Sequence, residues 1–271
     1  IYHTAARAMG EDSPIGNLVK NIEVSDSVRT PLPLSEPYYC KNSVCLEELL
    51  FNIDYDYEKF TPIKQHSNNF PESNFAILRN DKWNGFMKYG LNGKSHAHPD
   101  IMNVELMYGN HRISRDLSNA GYRARLCNEW HRKTLSHNTV CWNGTDITSV
   151  SPGECLYFDK NKVTAAARNV YDGIHYTRTI QILGNTFTDN FRVESGMSGI
   201  FDYVFHLESA LSLDYDLDLE DGNLGFEKNG YQHILETKRV NTKENHVVLR
   251  AGAEDVMWNI WIDLTGNHQL Y

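Results

Sequence analysis

The sequence has no run approaching eighteen uninterrupted apolar residues, so no membrane-crossing helix is expected. It has no Cys-x-x-Cys pair, which excludes a cysteine zinc ribbon. Cysteines number five, so at least one thiol is free or pairs between chains. Cys40 and Cys45 are close enough to pair, whereas Cys127, Cys141 and Cys155 fall in strand-like runs where buried free thiols are expected. Positive charge is in deficit: 26 Lys and Arg against 35 Asp and Glu give a net charge of −9. No nucleic-acid partner is expected, because phosphate binding needs basic surface. The same charge weighs less against an anionic polymer bound in a cleft, where a local basic cluster focuses the field whatever the overall sign. The first residues, Ile1-Tyr2-His3-Thr4, lack an initiator Met, a charged n-region and an apolar h-region; they read as a cut edge, with any signal peptide upstream. What is there is ordinary for a folded domain: 271 residues, 41% hydrophobic and 23% charged, enough for one large core.

Two regions differ in character. Residues 1–66 hold a short helical piece, Thr4 to Met9 ended by Gly10, a connecting segment rich in Pro and Ser (Pro31, Pro33, Pro37), and a possible helix from Leu46 to Phe51. In residues 67–271, short apolar runs alternate with turn residues, the pattern of an antiparallel sandwich. Strands are expected at 75–79, 85–89, 102–108, 112–117, 139–142, 163–167, 176–183, 186–193, 201–207 and 247–250. Gly109-Asn110 and Gly184-Asn185 have the chemistry of hairpin turns. The expected class is all-β: a large antiparallel β-sandwich (supersandwich) with a short N-terminal helical or irregular remnant.

Three segments carry possible chemistry: Gly93 to Asp100, Arg115-Asp116, and Leu135 to Thr139. His98, Asp116 and His137 would form an N,O,N set, and two neutral imidazoles with one carboxylate suit Zn²⁺ with a fourth position open. The plain alternatives are a solvated loop for His96 and His98, a strand-end ion pair for Asp116, and a buried hydrogen-bonded imidazole for His137. Ideal pairing across Gly109-Asn110 would set Asp116 opposite Asn103 rather than His98. A metal cluster therefore requires the chain to bend back around Pro99, or a ligand from a third strand. Asn143-Gly144-Thr145 fits a glycosylation sequon, but Asn-Gly reads better as a turn.

The order of these segments resembles the C-terminal domain of heparinase II/III-like lyases, a group that includes oligo-alginate lyases. The resemblance runs through Ile77-Leu78-Arg79, Tyr89-Gly90, Ser95-His96-Ala97-His98-Pro99-Asp100, Arg115-Asp116, Trp130-His131-Arg132 and His137-Asn138-Thr139-Val140. It continues through Tyr176-Thr177-Arg178-Thr179, Asp189 and Phe205-His206, covering roughly residues 70–210. Family members often have Gly where Ser95 and Ala97 stand, and Pro99 is unusual before the Asp. The resemblance implies zinc on His98, Asp116 and His137, an active-site histidine at His96, and an aromatic near the substrate at Tyr122. It implies a partner (α/α) toroid domain N-terminal to the sandwich, an acidic polysaccharide or oligosaccharide as substrate, and a periplasmic or secreted location.

Cleavage of a uronate by β-elimination removes the weakly acidic C5 proton and expels the C4 oxygen, so it needs a base, an acid and neutralisation of the carboxylate. His96 has the chemistry of base or neutraliser, and Tyr122 that of acid or base. Arg123, Arg125 and Arg132 form a basic run suited to sugar carboxylates, and Trp130 suits either sugar stacking or core packing. The zinc reads as structural or site-organising. Two other functions fit the same residues: a non-catalytic glycan-binding sandwich, and a uronate C5-epimerase.

Overall fold

The computed structural model describes residues 2–10, 12–25, 65–91, 96–117, 119–121, 123–208, 211–212, 218–242, 244, 246–253, 256–263 and 269–271. The chain divides into two compact units, Ile1–Gln65 and His66–Tyr271. In the first, α1 (Tyr2–Met9) ends where Gly10 takes a positive φ of 95°, and α2 (Pro14–Ser25) follows with Pro in its first turn. Ala6 and Val19 form its small apolar contact with Ile15. The helix α2 was not expected. The expected helix at Leu46–Phe51, the three prolines, and the Cys40/Cys45 pair lie outside the described residues.

The second unit is built from antiparallel strands. A five-stranded sheet runs in order β1 (Asn68–Phe70), β2 (Phe75–Arg79), β3 (Trp83–Lys88), β4 (Asn103–Tyr108), β5 (His111–Ser114). A four-stranded sheet runs β10 (Thr186–Ser195), β9 (Ile174–Leu183), β8 (Lys162–Tyr171), β7 (Glu154–Phe158). Period-two alternation explains why they stack. Ala76 and Leu78 of β2, Met87 of β3, and Val104 and Leu106 of β4 face Val163, Ala165, Ile180 and Ile182 of β8 and β9 in one core. Each such side chain, fully buried, contributes about 1.5–3 kcal/mol of transfer free energy for a Val-, Leu-, Ile- or Met-sized group. The sandwich expected from the sequence is thus the observed architecture, and both Gly-Asn turns close hairpins, with Gly109 and Gly184 each at φ 57°.

Smaller pairings complete the unit: β6 (Val140–Trp142) with β11 (Phe201–Tyr203), β13 (Asp218–Asp221) with β14 (Lys238–Asn241), and β12 (Leu211–Ser212), β15 (His246–Ala253) and β16 (Val256–Asp263) in a three-stranded sheet. Strands β1, β12, β13, β14 and β16 were not anticipated, β7 bears out the strand-like run expected around Cys155, and the run expected at 201–207 is strand only as far as Tyr203. Cys127 lies in a π-helical turn, Cys127–His131, not in a strand. It and Cys141 are buried free thiols, and Cys155 is a partly buried free thiol.

Two features place the candidate site. The β4–β5 hairpin carries a bulge: Met107 pairs Arg112, but Leu106 pairs Ser114. The extra residue lets Ile113 and Ser114 both turn inward, one to the core and one to a polar cluster. At the far end of β3, the backbone of Gly90 crosses Pro152 so closely that a Cβ would lie 1.7 Å from the Pro152 carbonyl oxygen. Only glycine fits there, and the crossing anchors the start of the loop that carries His98.

Candidate metal centre and its surroundings

The loop between β3 and β4 does bend back. Lys88, the last residue of β3, donates to both carboxylate oxygens of Asp100 at 2.8 and 2.7 Å. The backbone then turns, with Asn103 N donating to the Asp100 carbonyl at 3.0 Å. Thr139 Oγ1 donates to the Ile101 carbonyl at 2.6 Å, tying this loop to the His137 segment. Met102 is buried and holds a positive φ of 67°, a conformation uncommon outside glycine and asparagine.

These ties bring His98, Asp116 and His137 together: one ligand atom from each lies within 4.8 Å of the others. The imidazoles of His98 and His137 are 5.4 Å apart, centre to centre. His137 is 2% exposed, and its Nδ1 lies 2.9 Å from Asp116 Oδ2. With the proton on Nδ1 donated to that carboxylate, Nε2 keeps its lone pair, and that nitrogen is buried with no hydrogen-bond partner. Leaving such an atom unmatched costs about 1–3 kcal/mol. Burial, and then repulsion from His137, lowers the pKa of His98, favouring the neutral, ligating form. Donor types, proximity and the unmatched nitrogen fit a small divalent cation with N,N,O ligands, and a fit to zinc needs only modest closing of the set toward bonds of about 2.0–2.2 Å.

Around the cluster lies a polar lattice. The Asp116 backbone N–H donates to Glu105 Oε2 at 3.1 Å, and burial raises the Glu105 carboxyl above its usual range. Glu105 is therefore half-buried beside the site. Asn138 is saturated. Its N–H donates to Asn103 Oδ1 at 2.8 Å, its Nδ2 to the Val104 carbonyl and Ser114 Oγ (2.6 Å each), and its Oδ1 accepts from His206 N at 2.6 Å. His206 shares a hydrogen bond through Nε2 with the Leu135 carbonyl at 2.8 Å, and burial holds its pKa down, in keeping with a structural histidine.

The other sequence-selected residues are placed less tightly. His96 is exposed at the lip of the same loop, with φ 60°. Tyr122 lies outside the described residues. Arg123 and Arg132 are exposed. Arg125 is 88% exposed and already paired with Glu129 at 2.5 Å, and Lys133, the neighbour of Arg132, is paired with Asp146 at 2.8 Å. Trp130 packs against Leu135, Cys141 and Tyr231 and meets His206 and His233 edge-on, so much of its ring serves a satellite core. Asn143 Oδ1 accepts from Ile200 N at 2.9 Å at a turn where Asn143 and Gly144 both have positive φ, as the turn reading expects.

The heparinase II/III-like C-terminal domain profile matches residues 62–262. The chain belongs to this family. Among solved structures, this heparinase II/III-like domain is similar to a heparinase III gene product (16% identity, TM-score 0.50, covering 77% of this chain and 44% of that one). It is similar as well to heparan sulfate lyase HepC from Pedobacter heparinus (14% identity, TM-score 0.53, 74% and 31%) and to a further heparinase III (15% identity, TM-score 0.51, 70% and 30%). At these identities the likeness establishes the fold. The chain spans less than half the length of each of these proteins. Comparison with curated proteins gives no match. No helix among the described residues is long and apolar enough to cross a membrane.

Proposed function

We propose that this domain is the C-terminal part of a polysaccharide lyase that cleaves a uronic-acid-containing polysaccharide, a glycosaminoglycan or alginate, by β-elimination. The observation that carries the reading is the His98–Asp116–His137 cluster, with its unmatched His137 nitrogen, inside a domain of a lyase family. His98, Asp116 and His137 would hold zinc, which when bound supplies a fixed point of positive charge that organises the loop. His96, two residues before a ligand and exposed at the lip, is the group assigned to the substrate. It takes the C5 proton or neutralises the uronate carboxylate, while Tyr122 serves as the partner acid or base. The C5–H bond breaks, the C4–O bond breaks with a proton passed to the leaving oxygen, and a C4–C5 double bond forms. Arg123, Arg125 and Arg132 would meet the sugar carboxylates, Arg125 by leaving Glu129, and Trp130 would offer its uncovered edge. A toroid domain N-terminal to the sandwich would complete the site, in a periplasmic or secreted protein.

The test is metal content by plasma mass spectrometry on the wild type and His98→Ala, followed by uronan cleavage on the full-length protein, read as ultraviolet absorbance of the unsaturated product. About one zinc per chain, lost in the variant, with absorbing product, is the expected result. No metal in protein never exposed to chelator would sink the ligand assignment. Inversion at C5 without absorbance would make the protein an epimerase, and binding without either reaction a glycan scaffold.

A further inference from the structure

Arg178 of β9 is 0% exposed, the largest of the fully buried side chains. Its five N–H donors are all used. Nε donates to Asp189 Oδ1 at 2.9 Å, and Nη2 donates to Asp189 Oδ2 and, at 3.1 Å, to the Tyr203 hydroxyl oxygen. The Tyr203 hydroxyl in turn donates to Asp189 Oδ2 at 2.6 Å. The remaining nitrogen, Nη1, donates to two backbone carbonyls, those of Met102 and Asn138. The rings of Phe191 and Tyr203 flank the guanidinium at 5.1 and 5.7 Å.

The positions of those two carbonyls matter. Met102 ends the turn that returns the His98 loop to β4, in left-handed backbone that its own side chain does not favour. Asn138 directly follows His137. One nitrogen therefore grips the loop of one candidate ligand and the segment of another, while Asp189 and Tyr203 fix that nitrogen from behind. A buried ion pair is a poor way to gain stability compared with apolar packing, and its best-attested use is to fix one arrangement among several. We propose that Arg178, held by Asp189 and Tyr203, is a positioning residue that sets the spacing of His98 and His137, so that the pocket is formed before the metal arrives. This rests on the zinc reading of the cluster for its consequence but not for its geometry.

Three variants test it. Arg178→Lys keeps the charge and loses the fork; Tyr203→Phe, at a residue 49% exposed, removes only the hydroxyl behind the fork; Ile182→Val, on the same strand, is the control for general core damage. Zinc affinity by chelator competition is expected to fall about tenfold to a hundredfold in Arg178→Lys, as for loss of groups that orient ligands, and by a smaller factor in Tyr203→Phe. The visible spectrum of the cobalt-substituted protein should change shape in Arg178→Lys, and Ile182→Val should leave affinity and spectrum unchanged. Wild-type affinity and spectrum in Arg178→Lys, or losses equal to those of the control, would overturn the proposal. If Arg178→Lys does not fold, Tyr203→Phe decides by the same criteria. If the wild type binds no metal, the zinc reading fails separately, and amide hydrogen exchange of the metal-free protein judges the clamp. Residues 98–103 and 137–139 should then loosen together in the Arg178 and Tyr203 variants, with β13–β14 unchanged; loosening of neither, or of one alone, refutes it.

Discussion

Strand β11 separates two carboxylate–tyrosine contacts that use the same chemistry to different ends. On one side Tyr203 donates to Asp189, and the guanidinium of Arg178 completes the group. On the other, Tyr231 donates to Asp202, beside the buried thiol of Cys141. Burial lifts the Asp202 carboxyl above the usual carboxylate range, and the Tyr231 hydrogen bond offsets this only in part. The two sides differ by one guanidinium. Where it is present, a desolvated carboxylate is the anchor of a network reaching two loops; where it is missing, the ionised form is strained and the group serves local packing.

The comparison can be broken most sharply at Asp189. Asp189→Asn leaves Arg178 buried without a counter-charge and should lower the unfolding free energy by about 3–5 kcal/mol in urea titrations; a loss under about 1 kcal/mol would mean the two sides are energetically alike. Asp202→Asn should act in the other direction. A folded-state pKa raised above the unfolded one contributes stability that is complete below the unfolded carboxylate pKa and is lost as pH rises through the folded value. The Asn variant escapes that loss, so at neutral pH it should match or exceed the wild type, by less than about 1 kcal/mol because the half-exposed group is screened. The gain should vanish in melts below pH of about 4. A gain that grows on acidification would reverse the assignment. The smallest effect concerns thiols. Burial pushes the Cys141 thiol up to about 11, and raises the partly buried Cys155 as well. In disulfide-reagent titration of the native protein at mild alkaline pH, Cys155 should react well before Cys141; simultaneous reaction would show that the Cys141 side of β11 opens readily.

Much of this was legible in the sequence, because the signals were local or carried by side chains. Gly109-Asn110 and Gly184-Asn185 mark turns through backbone preference, alternation marks β2, β3, β8 and β9, and His98, Asp116 and His137 have the donor types a metal needs. A bend at Pro99 is one of the two ways the metal reading allows, and Lys88–Asp100 and Thr139 supply it. Arg178 stood in the resembling stretch without a role. Its partners on the loops are main-chain carbonyls 76 and 40 residues away, and a carbonyl has no residue type to read. The π-helical turn at Cys127–His131 was missed because it lacks the periodicity of a regular element, and β7 shows in the sequence only as the strand-like run around Cys155. The basic run around Arg125 looked free because Glu129 and Asp146 were not yet known to face it.

The bulge in the β4–β5 hairpin gives the site a parity. With Ile113 as the extra residue, Ser114 reaches Asn138 while Asp116 reaches His137. A strand alternates its faces residue by residue, and the bulge holds one residue more than the ladder needs, so loss of that residue leaves Ser114 opposite Leu106, whereas a residue added beyond the bulge, before Asp116, exchanges in for out for everything after it. Length changes in this short segment are thus filtered by sign: loss of Ile113 closes the bulge at the expense of one core contact and keeps the carboxylate on the cluster, whereas an added residue turns it away.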